Sequence, residues 1–502
     1  MTQQTQQTHG NVLCTILSGP PGCGKTTKML GDITQQPGRY FLVAPRVELI
    51  EEHYAWLQRL AGPTSPMTLV PIHSDQNVKG AIERRIGDAL RAHAEDENVV
   101  VVATHDALLN VDPDDLAGWH VRIDELPSNI VSGSARVGAS WTALGTYYAL
   151  GSAWGKWRDV SVLPNVDLPS LMQIRQDVSR DLGSFHRLAR SRQTVSVDVQ
   201  AWRDLSIANR VMSWWSAWTP AILRDCASIT ITAAGFEDSL FKAAVDWRGG
   251  VTFDVQVIGT RRSPTDQPAI SISYYTQHRG STTWWETDDG SLCLVAISRH
   301  LEGAGFDGYW SCNRAIVPYF RHRFGQHCEP KQAGSNALRH QTSCAMMYSS
   351  KAQDSDRTIL DLLGLDVDAI LRAREYEDLW QFALRGAIRD LSYEGAYDIH
   401  VYSRDQADEL ERRFRQAGYV DVATIPVDDA EVMDVERPTR REEEEWDRND
   451  DPTTGADERD RRRRERERRR GQLRRDTKRN RRVAEGTLRP RGRPRQSIQL
   501  DV

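Results

Sequence analysis

Short apolar runs alternate with amphipathic stretches along the first 260 residues of the chain. The strand-like runs cover 11–18, 40–44, 98–103, 120–123 and 227–233, and those at 40–44 and 98–103 are apolar almost throughout. Runs of this length without a polar face are typical of strands that are buried on both sides. Helical patterns begin at Lys25 and near Val47, between these runs. The sequence therefore predicts an α/β fold in which helices cover a parallel sheet.

A second unit of the same kind is predicted after a turn-rich linker at 261–267. Its expected strands cover 270–275, 292–297, 308–311, 343–348 and 399–402, and a helix is expected near 405–416. Within the first unit, residues 136–225 are rich in tryptophan and mostly helical in pattern, so they are predicted to form a helical insertion. Its aromatic side chains are interpreted as the core of that insertion, with stacking on nucleic-acid bases as the alternative.

The length of the chain supports more than one domain. Its 502 residues exceed the roughly 250–300 at which chains usually divide into separate cores. The predicted parts are a disordered N-terminus (1–10), a first unit (11–260), a second unit (268–430) and a charged tail (431–502). The N-terminus is polar, and the apolar runs are well short of the ~20 residues that span a bilayer. The seven cysteines include no C-x-x-C pair. Together these features predict a cytoplasmic protein with no membrane partner.

A glycine-rich turn joins the first predicted strand to the first predicted helix. Its residues are Gly19, Pro20, Pro21, Gly22, Cys23, Gly24, Lys25 and Thr26, followed by Thr27. The spacing G-x-x-x-x-G-K-[ST] between a strand and a helix is that of a phosphate-binding P-loop. Backbone amides and the helix N-terminus attract phosphate there, Lys25 is expected to reach the β- and γ-phosphates, and the Thr26 hydroxyl is expected to hold Mg²⁺. The turn therefore predicts that the protein binds ATP.

Two acidic residues, Asp124 and Glu125, end the strand predicted at 120–123. In P-loop ATPases an acidic residue at the end of a neighbouring strand holds Mg²⁺, directly or through water, and a second carboxylate can orient and deprotonate the attacking water. Asp124 is predicted to fill the first role and Glu125 the second. An ordinary acidic strand end is the alternative, which the upstream P-loop disfavours.

Together these residues resemble superfamily 2 helicases of the DEAD/DEAH-like kind. Asp124-Glu125 looks like the second motif of that family in a short D-E form. Three more segments look like motifs of the first helicase domain, namely 44–49 (Ala-Pro-Arg-Val-Glu-Leu), 104–105 (Thr-His) and 230–234 (Thr-Ile-Thr-Ala-Ala). The resemblance implies that Arg46, Thr104 and His105 contact nucleic acid, and that 230–234 couples hydrolysis to strand binding. The unusual loops look most like those of helicases encoded by bacteriophages or mobile elements.

Two segments of the second unit extend the resemblance. Residues 334–336 (Gly-Ser-Asn) are similar to the fifth motif, and 381–389 (Gln-Phe-Ala-Leu-Arg-Gly-Ala-Ile-Arg) to the sixth, which carries an arginine finger. The family's usual pattern is Q-x-x-G-R-x-x-R. Here the second arginine comes one residue later, and residues four apart share a helix face. Both arginines are therefore expected to face the nucleotide, with the finger unassigned and a surface arginine pair on a helix as the alternative. The implied nucleotide-binding residues are Gly334 and Asn336, and the implied catalytic residues are Gln381, Arg385 and Arg389.

The resemblance implies two RecA-like units with ATP in the cleft between them. The function it favours is an ATP-dependent DNA helicase or translocase, with single-stranded DNA in the motor core and replication or recombination proteins as possible partners. A packaging motor of the terminase type is one alternative. A DNA-binding ATPase switch in replication initiation, which would not unwind processively, is the other.

Charge is distributed unevenly along the chain. Residues 459–495 contain 19 basic and 5 acidic residues, whereas the whole chain has a net charge of −5, so the rest is strongly acidic. The last segment includes Arg489-Pro490-Arg491-Gly492-Arg493-Pro494, which resembles the core of an AT-hook. Arginines of such a peptide enter the narrow minor groove of A·T-rich DNA. The tail therefore predicts duplex DNA as a partner, with a chance match in an arginine-rich tail as the alternative.

Deletion of residues 457–502 is expected to flatten the salt dependence of duplex binding. Each phosphate contact releases counterions and steepens the fall of affinity with salt, so losing the basic segment lowers that slope. Titrations of the full and shortened chains with duplex DNA at several salt concentrations measure the effect. An unchanged slope would remove the role predicted for the tail.

Overall fold

The computed structural model describes residues 11–62, 66–73, 82–136, 141–170, 173, 182–191, 193–203, 211–259, 267–320, 325–330, 338–352 and 356–435. The predicted disordered N-terminus, nearly all of the predicted linker, the 334–336 motif and the tail after 435 lie outside these residues. The described part of the chain contains three sheets, of seven, five and six strands.

The first unit is built on the seven-stranded sheet. Its elements before the tryptophan-rich segment are β1 (Val12–Ser18), α1 (Lys25–Gln35), β2 (Arg39–Ala44), α2 (Val47–Ala61), β3 (Thr68–Pro71), α3 (Ile82–Ala92), β4 (Val99–Thr104), α4 (His105–Asn110) and β5 (His120–Ile123). After that segment come β11 (Ser228–Ala233), α8 (Leu240–Arg248) and β12 (Val251–Val257). The strand order is β12-β1-β11-β5-β2-β4-β3, and all described pairings are parallel. The strands predicted in this unit are confirmed.

The tryptophan-rich insertion is an antiparallel sheet, so the prediction of a helical insertion was wrong. Its elements are β6 (Ile130–Arg136), α5 (Trp141–Tyr147), β7 (Tyr148–Trp154), β8 (Trp157–Val162), α6 (Gly183–Ala189), β9 (Thr194–Asp198), α7 (Val199–Arg203) and β10 (Val211–Ala217). The strand order is β6-β10-β9-β8-β7, and each of these pairs is antiparallel. Tryptophan is also a good strand residue, so its abundance did not distinguish the two structures.

The tryptophans of β10 point to opposite faces of this sheet, as neighbours in a strand must. Trp214 packs with Phe185 in the insertion's own core. Trp215 packs on the other face with Trp157 of the insertion and Ala244 of α8. Both β10 tryptophans are buried, so the interpretation as core fits them better than base stacking. Leu362 of the second unit packs against the same Trp215 cluster.

The second unit is built on the six-stranded sheet. Its elements are β13 (Ala269–Thr276), α9 (Thr282–Trp285), α10 (Asp288–Gly303), β14 (Tyr309–Cys312), α11 (Val317–Phe320), β15 (Gln326–His327), β16 (Ser343–Met347), α12 (Arg357–Leu363), α13 (Val367–Leu371), a π-helical turn (Arg372–Tyr376), α14 (Glu377–Ala383), β17 (Ala396–Ser403), α15 (Arg404–Gln416) and β18 (Val422–Pro426). The order is β15-β14-β16-β17-β13-β18, again with parallel pairings. Two parallel sheets covered by helices confirm the predicted α/β class and its two RecA-like units.

One predicted strand of the second unit is wrong. Residues 292–297 lie inside α10, which Thr287 caps by accepting a hydrogen bond from the amide of Gly290 at 3.1 Å. Its buried residues include Leu294, Ile297 and Leu301, which follow helical spacing. A short apolar run is the same in a buried helix and a buried strand, and here the helical spacing continues beyond the run.

Among the residues described, no helix combines the length and the apolar character needed to cross a membrane.

Candidate active site

The P-loop residues form a turn at the carboxyl end of β1. Gly22 and Gly24 have φ angles of +83° and +94°, which glycine adopts without steric cost. Lys25 begins α1, and its amino group turns back into the loop to donate to the carbonyls of Gly19 at 2.7 Å and Pro20 at 2.8 Å. Burial lowers the pKa of Lys25 despite the acidic groups nearby. The loop thus holds an ammonium group at the place where phosphate is expected.

Asp124 follows β5 and is almost completely buried. One carboxylate oxygen accepts hydrogen bonds from the hydroxyls of Thr26 at 2.7 Å and Thr232 at 2.8 Å. The other lies 2.8 Å from Nε2 of His53. Burial alone would raise the pKa of Asp124, but the bond and charge of His53 and the two hydroxyls hold it below its ordinary value. Asp124 is therefore a carboxylate, joined directly to the P-loop helix.

Glu125 has an unusual backbone, with φ of +68°. Residues other than glycine seldom adopt this left-handed conformation, and such positions concentrate at functional sites. Its amide donates to the hydroxyl of Thr232 at 2.9 Å, which supports the turn. Burial, and then the charge of Asp124, raises the pKa of Glu125 to about 7. A carboxyl group of this basicity in a cleft is suited to accept a proton.

The second unit supplies Gln381, Arg385 and Arg389 to the same cleft, which has a volume of about 690 Å³. The expectation that both arginines share a helix face is wrong, since α14 ends at Ala383. Arg385 lies just beyond the helix, and Arg389 ends a short 3₁₀ turn. Both still line the cleft. Arg385 is only 4% exposed, so a surface pair is also excluded.

Arg385 is held by one side-chain hydrogen bond, from its Nε to the carbonyl of Gln381 at 3.2 Å. One of its terminal amino groups, Nη1, is buried and has no hydrogen-bond partner among the described residues. Burial lowers the pKa of Arg385 to about 10, while the nearby charge of Glu125 opposes that shift. A buried guanidinium with an unused donor opposite an acidic residue of the other unit is an arrangement that suits an anionic ligand.

The two units touch beside this cleft. A Cβ placed on Gly22 of the P-loop would lie 3.3 Å from Cγ of Arg389. A Cβ placed on Gly235, two residues after β11, would lie 2.5 Å from a carboxylate oxygen of Glu377. Glu377 accepts hydrogen bonds from Nε2 of Gln381 at 3.0 Å and from Arg413 at 2.7 Å. Both glycines therefore permit close contact between the units.

Most predicted phosphate-loop residues line the cleft, namely Pro21, Gly22, Gly24, Lys25, Thr26 and Thr27. Gly19 and Pro20 contribute their carbonyls to Lys25. Cys23 is buried, and its sulfur lies 3.8 Å from the Lys25 amino group.

The residues predicted to contact nucleic acid have different environments. Thr104 caps α4 by accepting a hydrogen bond from the amide of Ala107 at 3.4 Å. His105 is buried, its Nε2 lies 2.8 Å from the carbonyl oxygen of Asp124, and burial lowers its pKa to about 4. His105 thus supports Asp124 from the interior and is not placed on the surface, where a nucleic-acid strand could contact it. Arg46 has a buried Nε without a hydrogen-bond partner among the described residues, and its charge is close enough to lower the pKa of Arg385.

Sequence reasoning missed His53 and Glu377. His53 lies on the buried face of α2, together with Leu49, Ile50 and Leu57. A single histidine on an otherwise apolar helix face was the available signal, although most such histidines are ordinary core residues. Glu377 had no signal, because its significance depends on contact with Gly235 of the other unit.

No protein-family model matches the sequence, and no curated protein matches it. Among solved structures it is similar to XPD in its apo form, with 10% identity, 83% of this chain and 97% of that chain covered, and a TM-score of 0.46. It is also similar to a DEAD box protein from the hyperthermophile Methanococcus jannaschii, with 8% identity, 83% and 88% coverage, and a TM-score of 0.28. For RecG bound to a three-way DNA junction, the values are 10% identity, 81% and 42% coverage, and a TM-score of 0.34. TM-scores this low assign neither family nor activity.

Replacement His53→Ala is expected to lower the free energy of unfolding by about 1–3 kcal/mol, because it leaves a buried carboxylate one hydrogen bond short. His93→Ala is the matched control. His93 pairs with Asp96 at 2.7 Å, but both side chains are partly exposed, at 27% and 41%, so its loss is expected to change stability by about 0–1 kcal/mol. Urea denaturation of the two variants measures the difference. Equal losses would contradict a structural role for the buried pair.

Proposed function

We propose that this protein is an ATP-dependent DNA helicase or translocase that hydrolyses ATP between its two units and uses the movement of the units to travel along or unwind DNA. The observation that carries the proposal is the buried Nη1 of Arg385, which has no described hydrogen-bond partner and lies on the side of the cleft opposite the P-loop. A buried cationic donor without a partner is costly. The γ-phosphate of ATP, bound by the P-loop, would supply the missing acceptor.

The first unit would bind the phosphates. The amides of the glycine turn and the N-terminus of α1 favour negative charge. Lys25 would exchange its bonds to the Gly19 and Pro20 carbonyls for bonds to phosphate oxygens. This exchange needs little movement, because the amino group already lies within the loop.

Thr26 and Asp124 are the residues that would hold Mg²⁺, a hard cation that prefers oxygen ligands and keeps several waters. Their side-chain oxygens lie 2.7 Å apart, and the low pKa of Asp124 keeps it ionised. When bound, the ion would neutralise charge on the phosphate oxygens.

Glu125, Arg385 and Gln381 would act on the hydrolysis step. Glu125 would orient a water molecule and take its proton as the water oxygen bonds to the γ-phosphorus. The bond between that phosphorus and the ADP oxygen then breaks, and ADP leaves with its electron pair. Arg385 would stabilise the charge spread over the transferred group, an effect worth on the order of 10³-fold or more in such enzymes. Gln381, which lines the cleft near the end of α14, would help to orient the water.

Residues 230–235, at the end of β11 and just beyond it, would couple hydrolysis to movement, and we call them the coupling segment. Thr232 bonds to the Asp124 carboxylate and to the Glu125 amide, while Gly235, three residues later, packs on Glu377 of the second unit. A change at the phosphate site would therefore reach the contact between the units through a short, continuous stretch of chain. Domain closure and opening of this kind drive stepwise motion in many motors.

DNA as the track is supported by the basic tail and its AT-hook-like sequence. In the core, Arg46 and Thr104 remain the proposed contacts to a single strand, whereas the buried His105 is better assigned to support of Asp124. The predicted bacteriophage or mobile-element origin, and partners in replication or recombination, stay predictions.

Lys25→Ala is expected to abolish ATP turnover while leaving DNA binding largely intact, since it removes the phosphate-binding cation from one end of the cleft. Lys28→Ala is the matched control, because Lys28 lies on the same helix but is exposed and pairs with Asp32 at 3.1 Å. Phosphate release and DNA titration measure the two activities. Normal turnover by Lys25→Ala would show that the site is assigned to the wrong residues.

Unwinding of forked and blunt duplexes distinguishes a helicase from a DNA-binding ATPase switch that does not unwind processively. We expect ATP-dependent strand release from the forked substrate by the wild-type chain, and none by Glu125→Gln, which keeps the shape of the side chain but removes the proton acceptor. Turnover without strand release on either substrate would favour the DNA-binding switch.

A further inference from the structure

Two buried tyrosines fasten the chain segment that carries Arg385 to the centre of the second sheet. Tyr309 on β14 and Tyr397 on β17 are fully buried, and their hydroxyl oxygens lie 2.9 Å apart. The Tyr309 hydroxyl lies 2.7 Å from the carbonyl oxygen of Phe382, and the Tyr397 hydroxyl 2.8 Å from that of Ala383. The Tyr309 hydroxyl also lies 3.4 Å from the carbonyl oxygen of Ala383, so both phenols meet the end of the same helix.

These carbonyls belong to the last turn of α14, where the regular hydrogen bonds between a carbonyl and the amide four residues later are no longer made. At an exposed helix end, water usually donates hydrogen bonds to such carbonyls. Here the carbonyls are buried, and the phenol hydroxyls lie in the place of that water. The carbonyl of Phe382 also accepts the backbone amide of Arg385 at 3.2 Å. Tyr309 is therefore connected to the backbone of Arg385 through a single shared oxygen.

The chain is fixed just as closely on the far side of Arg385. A Cβ placed on Gly386 would lie only 2.3 Å from the Tyr397 hydroxyl, so the backbone rests directly on that group. The amide of Ala387 then donates to the carbonyl of Gln341 at 2.7 Å. Arg385 is held between anchored points on both sides, at Ala383 and at Ala387.

We propose that Tyr309 and Tyr397 are positioning residues that hold the backbone of Arg385 so that its guanidinium stays in the cleft opposite Glu125. This inference rests on the proposed function, because it takes Arg385 as the group that meets the transferred phosphate. Among the residues described, the side chain has one hydrogen bond of its own, and its acceptor, the carbonyl of Gln381, belongs to the same stretch of backbone. The placement of its backbone therefore decides where its charge lies, and a preorganised charge stabilises a transition state best.

Tyr309→Phe and Tyr397→Phe test the proposal, because each removes only one hydroxyl group. Tyr402→Phe is the matched control. Tyr402 is equally buried on β17, and its hydroxyl accepts from Nε1 of Trp284 at 3.1 Å, away from the cleft. Steady-state ATP turnover gives kcat and KM, and hydrogen exchange of the peptide covering 384–389 reports how firmly the segment is held.

We expect Tyr397→Phe to lower kcat on the order of 10- to 100-fold, the scale of small misplacements of catalytic groups, with KM changed less than about threefold. Hydrogen exchange of residues 384–389 should become faster in Tyr309→Phe and Tyr397→Phe and stay at the wild-type rate in Tyr402→Phe. Unchanged exchange in Tyr397→Phe, or a fall in kcat matched by Tyr402→Phe, would overturn the proposal.

A second comparison separates positioning from general damage to the unit. In an Arg385→Ala background, Tyr397→Phe should lower kcat no further, because the group that it positions is gone. A further fall in that background would also overturn the proposal. If the wild-type chain does not hydrolyse ATP, the proposed function fails, and hydrogen exchange alone decides whether the tyrosines hold Arg385.

Discussion

The buried carboxylate of Asp124 is the interaction on which the first unit's half of the cleft depends. A charged group can remain in the interior only if hydrogen bonds replace the water that it has lost. Thr26, Thr232 and His53 provide those bonds from α1, β11 and α2. Satisfying one charge therefore fixes the P-loop helix, the coupling segment and the second helix relative to the end of β5. The left-handed backbone of Glu125 directly follows this residue, and its amide donates to the same Thr232 hydroxyl.

The second unit presents the opposite arrangement. Among the residues described, Nη1 of the buried Arg385 has no hydrogen-bond partner, while the backbone around Arg385 is bonded on both sides. The buried charge of the first unit is therefore surrounded by hydrogen-bond partners, whereas that of the second unit keeps an unused donor among the described residues.

Local pattern explains how much of this could be predicted. The P-loop and the Asp124-Glu125 pair were accessible because each depends on a strand end and its next few residues. The end of α14 at Ala383 was not, because buried phenols from two distant strands satisfy its last carbonyls, and the one sequence signal, Gly386, lies three residues beyond that end. His53 lies 71 residues from its partner, a distance over which a single sequence gives no pairing signal. The insertion was misread because tryptophan content indicates burial but not the period of the backbone.

The insertion packs against both units. Its Trp215 cluster includes Ala244 of α8, the helix that follows the coupling segment, and Leu362 of the second unit; Lys156 lies 3.7 Å from Asp361 beside it. Separating the two units must uncover Leu362 and part this ion pair, at a place remote from the phosphates. Contact between the units is therefore not confined to the phosphate cleft, since the insertion provides a second, mostly apolar place where they meet.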